Sequence, residues 1–493
     1  MAQLPLAEAM EAMGGQLLAG STEGTFDGAA IDSRRVRGGE LFFAFSGARA
    51  DGHEFVGEAA RLGARGAVVT QPVELLDGSA APSGFAVIRV ADAERALQDT
   101  ARLARASVPR HLVAVTGSAG KTTTKELLAR LLARRYRTAA SPGNLNNLLG
   151  FPLALLGIPD DTEWMVAEVA MSTPGELRRL SELGRPDVAV FTNVREVHLE
   201  GFDRQGHQAT LRNIAEAKAE LLAGLDASGL VVANASDREV VRIAERHAAR
   251  GGRVVWFALD ADAALHEPRL MVEGLASGLL AVVEAGTGDP ISGSRFSVRD
   301  TAAGGEAIEI DLPLHGRVNV ENFLAAATAA LELGVPLREL PPALTGLEGT
   351  RGRGQVVRLP AGALLVDDSY NSNPDALLHA LEAAAALPGQ RHWAVLGDML
   401  ELGHHAVEHH RRLGREAARL GFDPVLGVGP LAHELLATAA EQGIAVEAFE
   451  SQSAAAARAV EVLRAGDVVL VKGSRGIGLE LVVERMLAAG ARH

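Results

Sequence analysis

The segment Val115-Thr116-Gly117-Ser118-Ala119-Gly120-Lys121-Thr122-Thr123 joins an apolar run to a glycine-bearing loop and a Lys-Thr pair opening a helical pattern. Glycines in such a loop let backbone N–H groups converge on phosphate oxygens, and the helix N-terminus adds favourable partial charge. In this pattern Lys121 neutralises β- and γ-phosphates and Thr122 offers its hydroxyl to Mg²⁺, while Gly117, Ser118, Ala119, Gly120 and Thr123 complete the cradle. Val115 stands where the common GxxxxGK[ST] pattern has glycine, and the Gly-x-x-Gly-Lys-Thr core survives. The plain alternative is a glycine-rich strand–helix turn. The flanking strand, helix and Lys-Thr pair favour a nucleoside triphosphate site.

A phosphate loop fixes the nucleotide but not the reaction. Metal binding needs acids nearby, and in parallel sheets those stand at the carboxyl ends of strands. Glu168 ends the run Met165-Val166-Ala167, and Asn193 follows the run Val188 to Thr192, with His198 and Glu200 close behind. A carboxylate and an imidazole beside a triphosphate suit Mg²⁺, directly or through water. Taken singly, the plainer readings are favoured, Glu168 as a surface acid and His198 as a satisfied loop histidine. The neighbouring phosphate loop is what singles them out.

These groups need strands and helices to hold them. Leu112 to Thr116 leads into the loop, and the helix after it carries Leu127, Leu128, Leu131 and Leu132 on one face. Apolar runs at Met165 to Val169, Asp187 to Phe191, Leu230 to Ala233 and Val254 to Phe257 alternate with helical segments, which predicts a mostly parallel sheet. Upstream, the runs Leu41 to Phe45 and Gly66 to Val69 predict a small α/β unit. Its helix pattern from Glu94 to Ala106 ends at Ser107-Val108-Pro109-Arg110. A second break falls near Gly346 to Gly352, after a helix predicted over Glu321 to Leu333. Beyond it, Ala363 to Val366, Trp393 to Leu396, Val425 to Val428 and Val468 to Val471 restart the alternation. The expected class is α/β with three domains: a small N-terminal α/β domain (1–108), a central P-loop parallel-sheet domain (109–350) and a C-terminal Rossmann-like doubly wound domain (351–493).

Composition narrows the class further. The 493 residues agree with about three domains at ~100–200 residues each. Hydrophobic residues at 47% and charged residues at 22% are ordinary for a globular protein with sizeable cores. The formal charge of −14 argues against coating nucleic acid or an anionic membrane. The absence of cysteine excludes disulfides, thiolate metal sites and Cys nucleophiles. MAQLPLAEAM lacks a basic stretch followed by an apolar core, and no run approaches 18 uncharged apolar residues. The expectation is a cytoplasmic protein with no integral membrane association.

The motifs together resemble a known family. Thr116 to Glu126, Gly143-Asn144-Leu145-Asn146-Asn147 and Thr192-Asn193-Val194 with His198-Leu199-Glu200 look like the central domain of the Mur ligases, which form amide bonds by ATP cleavage in peptidoglycan precursor synthesis. Asp367 to Pro374, Val395 to Gly403 and Val471-Lys472-Gly473-Ser474-Arg475 resemble the branch that joins D-alanyl-D-alanine to UDP-N-acetylmuramoyl-tripeptide. Ile31-Asp32-Ser33-Arg34, Gly39 to Phe42 and Asp51-Gly52-His53 resemble its uridine-nucleotide-binding domain. The resemblance spans the whole chain in order.

The resemblance implies a reaction and residue roles. ATP with Mg²⁺ phosphorylates the tripeptide carboxylate, and the amine of D-alanyl-D-alanine displaces phosphate from the acyl phosphate. Lys121 and Thr122 contact phosphates and Mg²⁺, Glu168 binds Mg²⁺, and His198 sits at a second Mg²⁺ with Lys218, a position often carbamylated in the family. Asn319 reads adenine, Arg353 reaches the γ-phosphate from the third domain, and Asp368 lies near the ribose. Asn371, Asn373, Lys472, Ser474 and Arg475 handle D-alanyl-D-alanine and the acyl end, and Ser33 and Arg34 belong to the uridine-nucleotide domain. The implied enzyme is a monomer. The sequence departs from the family pattern at Val318, where His is usual before Asn, and at Ala170, where Gly is usual; the 20 positions from His198 to Lys218 are also several more than the family has, with the extra residues within Asp203 to Leu211.

Other signals are read plainly. His405-Ala406-Val407-Glu408-His409 matches a zinc-peptidase pattern, but residues four apart meet on any helix face, so a solvated outer helix is expected. Arg130, Arg134, Arg135 and Arg137 fall late in the P-loop helix, where cations complement the dipole. Ile158-Pro159-Asp160-Asp161 reads as a turn. Two alternatives to the leading activity stand: a paralogous ligase with another acceptor amine, and a P-loop kinase that stops at a phosphorylated product. A scaffold that keeps the loop without the chemistry is disfavoured by the metal and third-domain groups.

Overall fold

The computed structural model describes residues 3–47, 50–73, 84–107, 110–197, 200, 202, 210–259, 266, 270–272, 293–301, 306–360 and 362–490. Among these, no helix is long and apolar enough to cross a membrane.

In the central unit nine strands form one sheet, in the order Glu306–Leu312, Ser294–Asp300, Leu270–Val272, Arg253–Ala258, Leu230–Asn234, Val188–Phe191, His111–Thr116, Trp164–Glu168 and Thr138–Ala140. The last seven are parallel, and the first two form an antiparallel edge. The chain enters on His111–Thr116, moves outward, returns on Trp164–Glu168, and then crosses to the other side with Val188–Phe191. That reversal is a topological switch point, where parallel sheets open a crevice at their carboxyl ends. The register sets Glu168 beside Val115 and Phe191 beside Thr116, so three loops leave the sheet together. Strand alternation builds both faces. Leu112, Ala114, Ala189 and Phe191 enter one apolar cluster; Val113, Val115, Val188 and Val190 enter the other. The second cluster also buries the four leucines of the helix Lys121–Leu132 against Ala325 to Ala330. The helix predicted from Glu321 starts a turn earlier, spanning Arg317–Glu332.

The C-terminal sheet has the order Gln355–Arg358, Leu364–Asp368, Asp467–Lys472, Arg391–Gly397, Phe422–Val428 and Val446–Phe449, all parallel except its first pair. The last strand of the chain inserts between two earlier ones and brings Lys472 opposite Asp368. Val468 and Leu470 face one layer of helices, while Val469 and Val471 face the other. This is the doubly wound arrangement the sequence predicts.

The N-terminal unit carries a five-stranded sheet, Gln16–Ala19, Ala86–Arg89, Gly66–Val69, Leu41–Phe43 and Ala29–Ala30, with a two-stranded ribbon of Leu4–Pro5 and Thr25–Phe26. Its Leu41, Phe43 and Ile88, with Leu97 of the helix Ala93–Ser107, share one apolar cluster with Phe151, Leu155 and Leu180 of the central unit.

Two surface readings need correction. His405 and His409 do share a face, with ring centroids 6.3 Å apart, but the next residue, His410, is buried. His410 Nε2 accepts the Met399 N–H at 2.9 Å, because the loop after Gly397 needs an acceptor there. The helix ends at Leu132, so of the four arginines only Arg130 lies on it, while Arg134, Arg135 and Arg137 follow it, and they do more than oppose a dipole. Arg130 donates to the carbonyls of Ala343 and Thr345, Arg135 to that of Gly334, and Arg134 grips Glu339. Arg137 turns the other way, to the Asp161 carbonyl at 2.6 Å.

Candidate active site between the central and C-terminal units

The phosphate loop is held from beneath by the next loop of the sheet. The Thr192 hydroxyl donates to the Ala119 carbonyl (2.7 Å), Asn193 Oδ1 accepts the Ala119 N–H (2.9 Å), and the Asn193 carbonyl accepts the Ser118 N–H (3.0 Å). Gly120 has φ +79° and lies against Asn322, so a side chain there meets both a strained backbone and an occupied space. Asn322 in turn accepts from Thr124 and donates to Asn319. Lys121 curls back onto its own loop, its Nζ donating to the Gly117 (3.0 Å) and Ser118 (3.4 Å) carbonyls. Burial lowers the Lys121 pKa; the Arg353 charge adds to that and Glu168 opposes it.

One step along the sheet edge, the Thr122 hydroxyl donates to Glu168 Oε2 (2.5 Å) and Asn146 Nδ2 donates to Glu168 Oε1 (2.7 Å). These hard oxygen donors beside a phosphate loop fit Mg²⁺. Among the described residues no three His, Asp or Glu side chains form a metal cluster, so Glu168 and Thr122 stand as a pair. His198 lies outside the described residues. Lys218 is buried on the helix Leu211–Ala219. Burial drives its pKa well down, Lys121 pushes it further, and Asp237 pulls it back. Asp237 caps the helix Arg238–Ala248 and also takes the Val194 N–H (2.8 Å) and the Arg195 guanidinium (2.6 Å).

From the C-terminal unit, Lys472 Nζ meets Asp368 at 2.6 Å and the Asn371 carbonyl at 2.9 Å. Burial raises the Asp368 pKa, against the pull of Lys472 and of Arg353. Arg353 lies over the Tyr370 ring at 4.2 Å, and Arg475 over the same ring at 4.9 Å. The Asn373 side-chain oxygen caps the helix Pro374–Ala385 through the Ala376 N–H (2.9 Å). The Ser474 hydroxyl accepts the Leu400 N–H (2.9 Å) and donates to the Ser372 carbonyl (3.3 Å).

A cavity of about 470 Å³ runs between the two units. Ser118, Ala119, Gly120, Lys121, Thr122, Thr123, Glu168 and Asn319 line one side; Arg353, Asp368, Asn371, Asn373, Lys472 and Arg475 line the other. Gly117, Lys218 and Ser474 are not among the residues that line it. Ser33 and Arg34 are elsewhere, in the N-terminal unit. The Ser33 hydroxyl binds Glu58 (2.5 Å), and the exposed Arg34 pairs with Asp32 (2.7 Å). The cavity adds Asn146, Arg195, Glu321 and Tyr370, which sequence reasoning assigned no role. Burial raises the pKa of Glu321, with Arg317 and Arg195 opposing it. Asn146 and Tyr370 lie inside motifs quoted above, and the motifs are the signal that marks them. A glycine-lined anion cradle, a carboxylate–hydroxyl pair and a second unit's arginine facing one crevice suit phosphoryl transfer from a nucleotide.

Three family models match consecutive stretches of the chain: the Mur ligase family catalytic domain over residues 25–114, the Mur ligase middle domain over 115–330, and the Mur ligase glutamate ligase domain over 352–475. The chain belongs to the Mur ligase family. The UDP-N-acetylmuramoyl-tripeptide–D-alanyl-D-alanine ligase of Escherichia coli (strain K12) is 32% identical over 468 residues, covering 94% of this Mur ligase and 95% of that protein. The Mycobacterium bovis protein of the same name is 34% identical over 496 residues, covering 93% and 91%. Among solved structures, MurF from Acinetobacter baumannii superposes with a TM-score of 0.81 at 27% identity over 99% of both chains. MurF from Thermotoga maritima, solved in complex with ADP, gives 0.75 at 26% identity over 94% of this chain and 98% of that one.

Proposed function

We propose that this Mur ligase joins D-alanyl-D-alanine to UDP-N-acetylmuramoyl-tripeptide at the expense of ATP, as a cytoplasmic monomer in peptidoglycan precursor synthesis. The observation that carries the proposal is the full-length likeness to ligases of that name, falling on a chain whose phosphate loop and third-unit cations face one cavity. An amine does not displace hydroxide from a carboxylate at neutral pH, so the carboxylate is first activated. Its oxygen bonds to the γ-phosphorus of ATP, the β–γ bridge breaks, and ADP departs. The amine then attacks the acyl carbon, the tetrahedral intermediate collapses, and inorganic phosphate leaves.

Each residue has a place in that scheme. Backbone N–H groups from Gly117 to Thr123 cradle the phosphates, and Lys121 moves from its own loop carbonyls onto the γ-phosphate as charge develops there. Arg353, steered by Tyr370, faces the same phosphoryl group from the other unit. Asn319 addresses adenine, and Asp368, held by Lys472, borders the ribose. Thr122, Glu168, His198 and Lys218 would hold Mg²⁺, which when bound neutralises triphosphate charge. Asn371, the free amide N–H₂ of Asn373, and Arg475 receive the acceptor and acyl end, with Ser474 supporting their loop. Ser33 and Arg34 bind the uridine nucleotide. Lys218 acts as a carbamate: its depressed pKa favours the neutral amine, which adds carbon dioxide and loses a proton to become an oxygen-bearing anion.

The test incubates the protein with ATP, Mg²⁺, UDP-N-acetylmuramoyl-tripeptide and D-alanyl-D-alanine, and follows phosphate release and product mass. Phosphate released in step with a product heavier than the tripeptide by the dipeptide residue is expected. A stable phosphorylated product would make it a kinase, and turnover only with another amine would make it a paralogous ligase.

A further inference from the structure

Lys125 lies one helical turn beyond Thr122 and is fully buried, an unusual place for an ammonium. Its Nζ donates to the carbonyls of Ser141 (2.6 Å) and Gly143 (3.1 Å) and pairs with Glu126 (2.8 Å). Ser141 and Gly143 open the loop that follows the edge strand Thr138–Ala140, and that loop carries Asn146. The loop is joined to the end of the strand Trp164–Glu168 at each step. The Ser141 N–H donates to the Val166 carbonyl (2.9 Å), the Ser141 hydroxyl accepts the Glu168 N–H (3.2 Å), and the Ala170 N–H donates to the Asn146 carbonyl (2.9 Å). Asn146 then fixes one oxygen of Glu168 and leaves the other to Thr122. One buried charge thus ties the P-loop helix to the loop that orients the carboxylate beside it.

We propose that Lys125 is a positioning residue for the metal-binding carboxylate, acting through Asn146 to fix the Glu168 rotamer against Thr122. The proposal rests on the reading of Glu168 and Thr122 as Mg²⁺ ligands. Removing the ammonium leaves the buried Ser141 carbonyl without this donor and frees the Gly143 carbonyl, which belongs to an exposed residue, so the loop must shift or hydrate, and Asn146 shifts with it. Groups that orient a metal ligand typically matter by ~10–100-fold in metal affinity.

The experiment titrates Mg²⁺ into the full chain with a fluorescent ADP analogue and reads the Mg²⁺ midpoint for nucleotide binding, alongside thermal melting. Lys125→Met is expected to raise the midpoint roughly 10-fold while metal-free nucleotide affinity stays within about twofold. Asn146→Ala should produce the same rise, and the double variant no more than either alone. A folded Lys125→Met with a lower melting temperature but a native midpoint would overturn the proposal, because packing alone would then explain the burial. If Lys125→Met does not fold, Asn146→Ala decides: an unchanged midpoint breaks the path to Glu168. Glu168→Gln separates the two layers of argument. A native midpoint there removes the metal reading and the proposal with it, whereas a shifted one beside a native Lys125→Met removes only the role of Lys125.

Discussion

The two seams of this molecule are built oppositely. Between the N-terminal and central units, Leu97 and Ala101 join Phe151 and Leu180 in one dry cluster, and polar ties such as Gln98 to the Leu148 carbonyl (3.1 Å) and Arg179 to Glu94 (2.8 Å) close its rim. Between the central and C-terminal units no apolar cluster is shared among the described residues. There the cavity intervenes, and the direct ties are thin: Arg195 to Asp375 at 3.8 Å, His409 to Glu196 at 3.8 Å, and the Glu200 N–H to the Glu401 carbonyl at 3.3 Å. An exposed pair such as Arg195 with Asp375 contributes about 0–1 kcal/mol. A dry seam fixes two units as one body; a polar, hollow one leaves its closure to whatever fills it.

Substitutions along the two seams should rank accordingly. Lys121→Ala should remove turnover, by roughly 10²–10³-fold or more in kcat, with an unchanged circular dichroism spectrum, since it deletes the loop's own cation. Lys218→Ala should lose nearly as much and recover in part when acetate is added, because a small carboxylate can stand in for the proposed carbamate; full activity without additive would make Lys218 a packing residue. Arg353→Ala should lower kcat about 10²-fold while calorimetric affinity for the UDP substrate holds, if its charge acts across the hollow seam on the reacting phosphate as proposed. On the dry seam, Leu97→Ala should cost about 2–5 kcal/mol in urea unfolding without selectively changing kcat. Smallest is Asp375→Ala, at about 0–1 kcal/mol in the same unfolding experiment. A large stability loss there would mean that the hollow seam is held by protein contacts after all.

What the sequence reveals follows from distance along the chain. The loop Gly117 to Thr123, its strand and the leucine face of its helix are local patterns, and the structure reproduces them. Strand insertion is not local. Asp368 and Lys472 each stand out in a motif, yet their pairing across 104 positions depends on the last strand entering between two earlier ones. Asn322 touches the phosphate loop from a helix about 200 positions later, so only packing reveals it. Polar residues in a motif can also serve the backbone, as Asn373 and Ser474 do, and composition does not separate that duty from ligand binding. Lys125 shows the converse. It stands in the motif without a role of its own, and only the packing of the loop from Ser141 shows it buried.

Arg130 in the last turn of the P-loop helix and Arg135 just past its end have a mechanical consequence. Arg130 and Arg135 fasten the chain from Gly334 to Thr345, and directly beyond that clamp lie Gly346, Gly352 and Gly354, all at positive φ. The helix Lys121–Leu132, about 18 Å long at ~1.5 Å per residue, thus works as a rigid lever with the phosphate cradle at one end and the anchor of the third unit's tether at the other. A swing of the C-terminal unit would therefore start beside the element that carries the phosphate loop, because only eight positions separate Thr345 from Arg353.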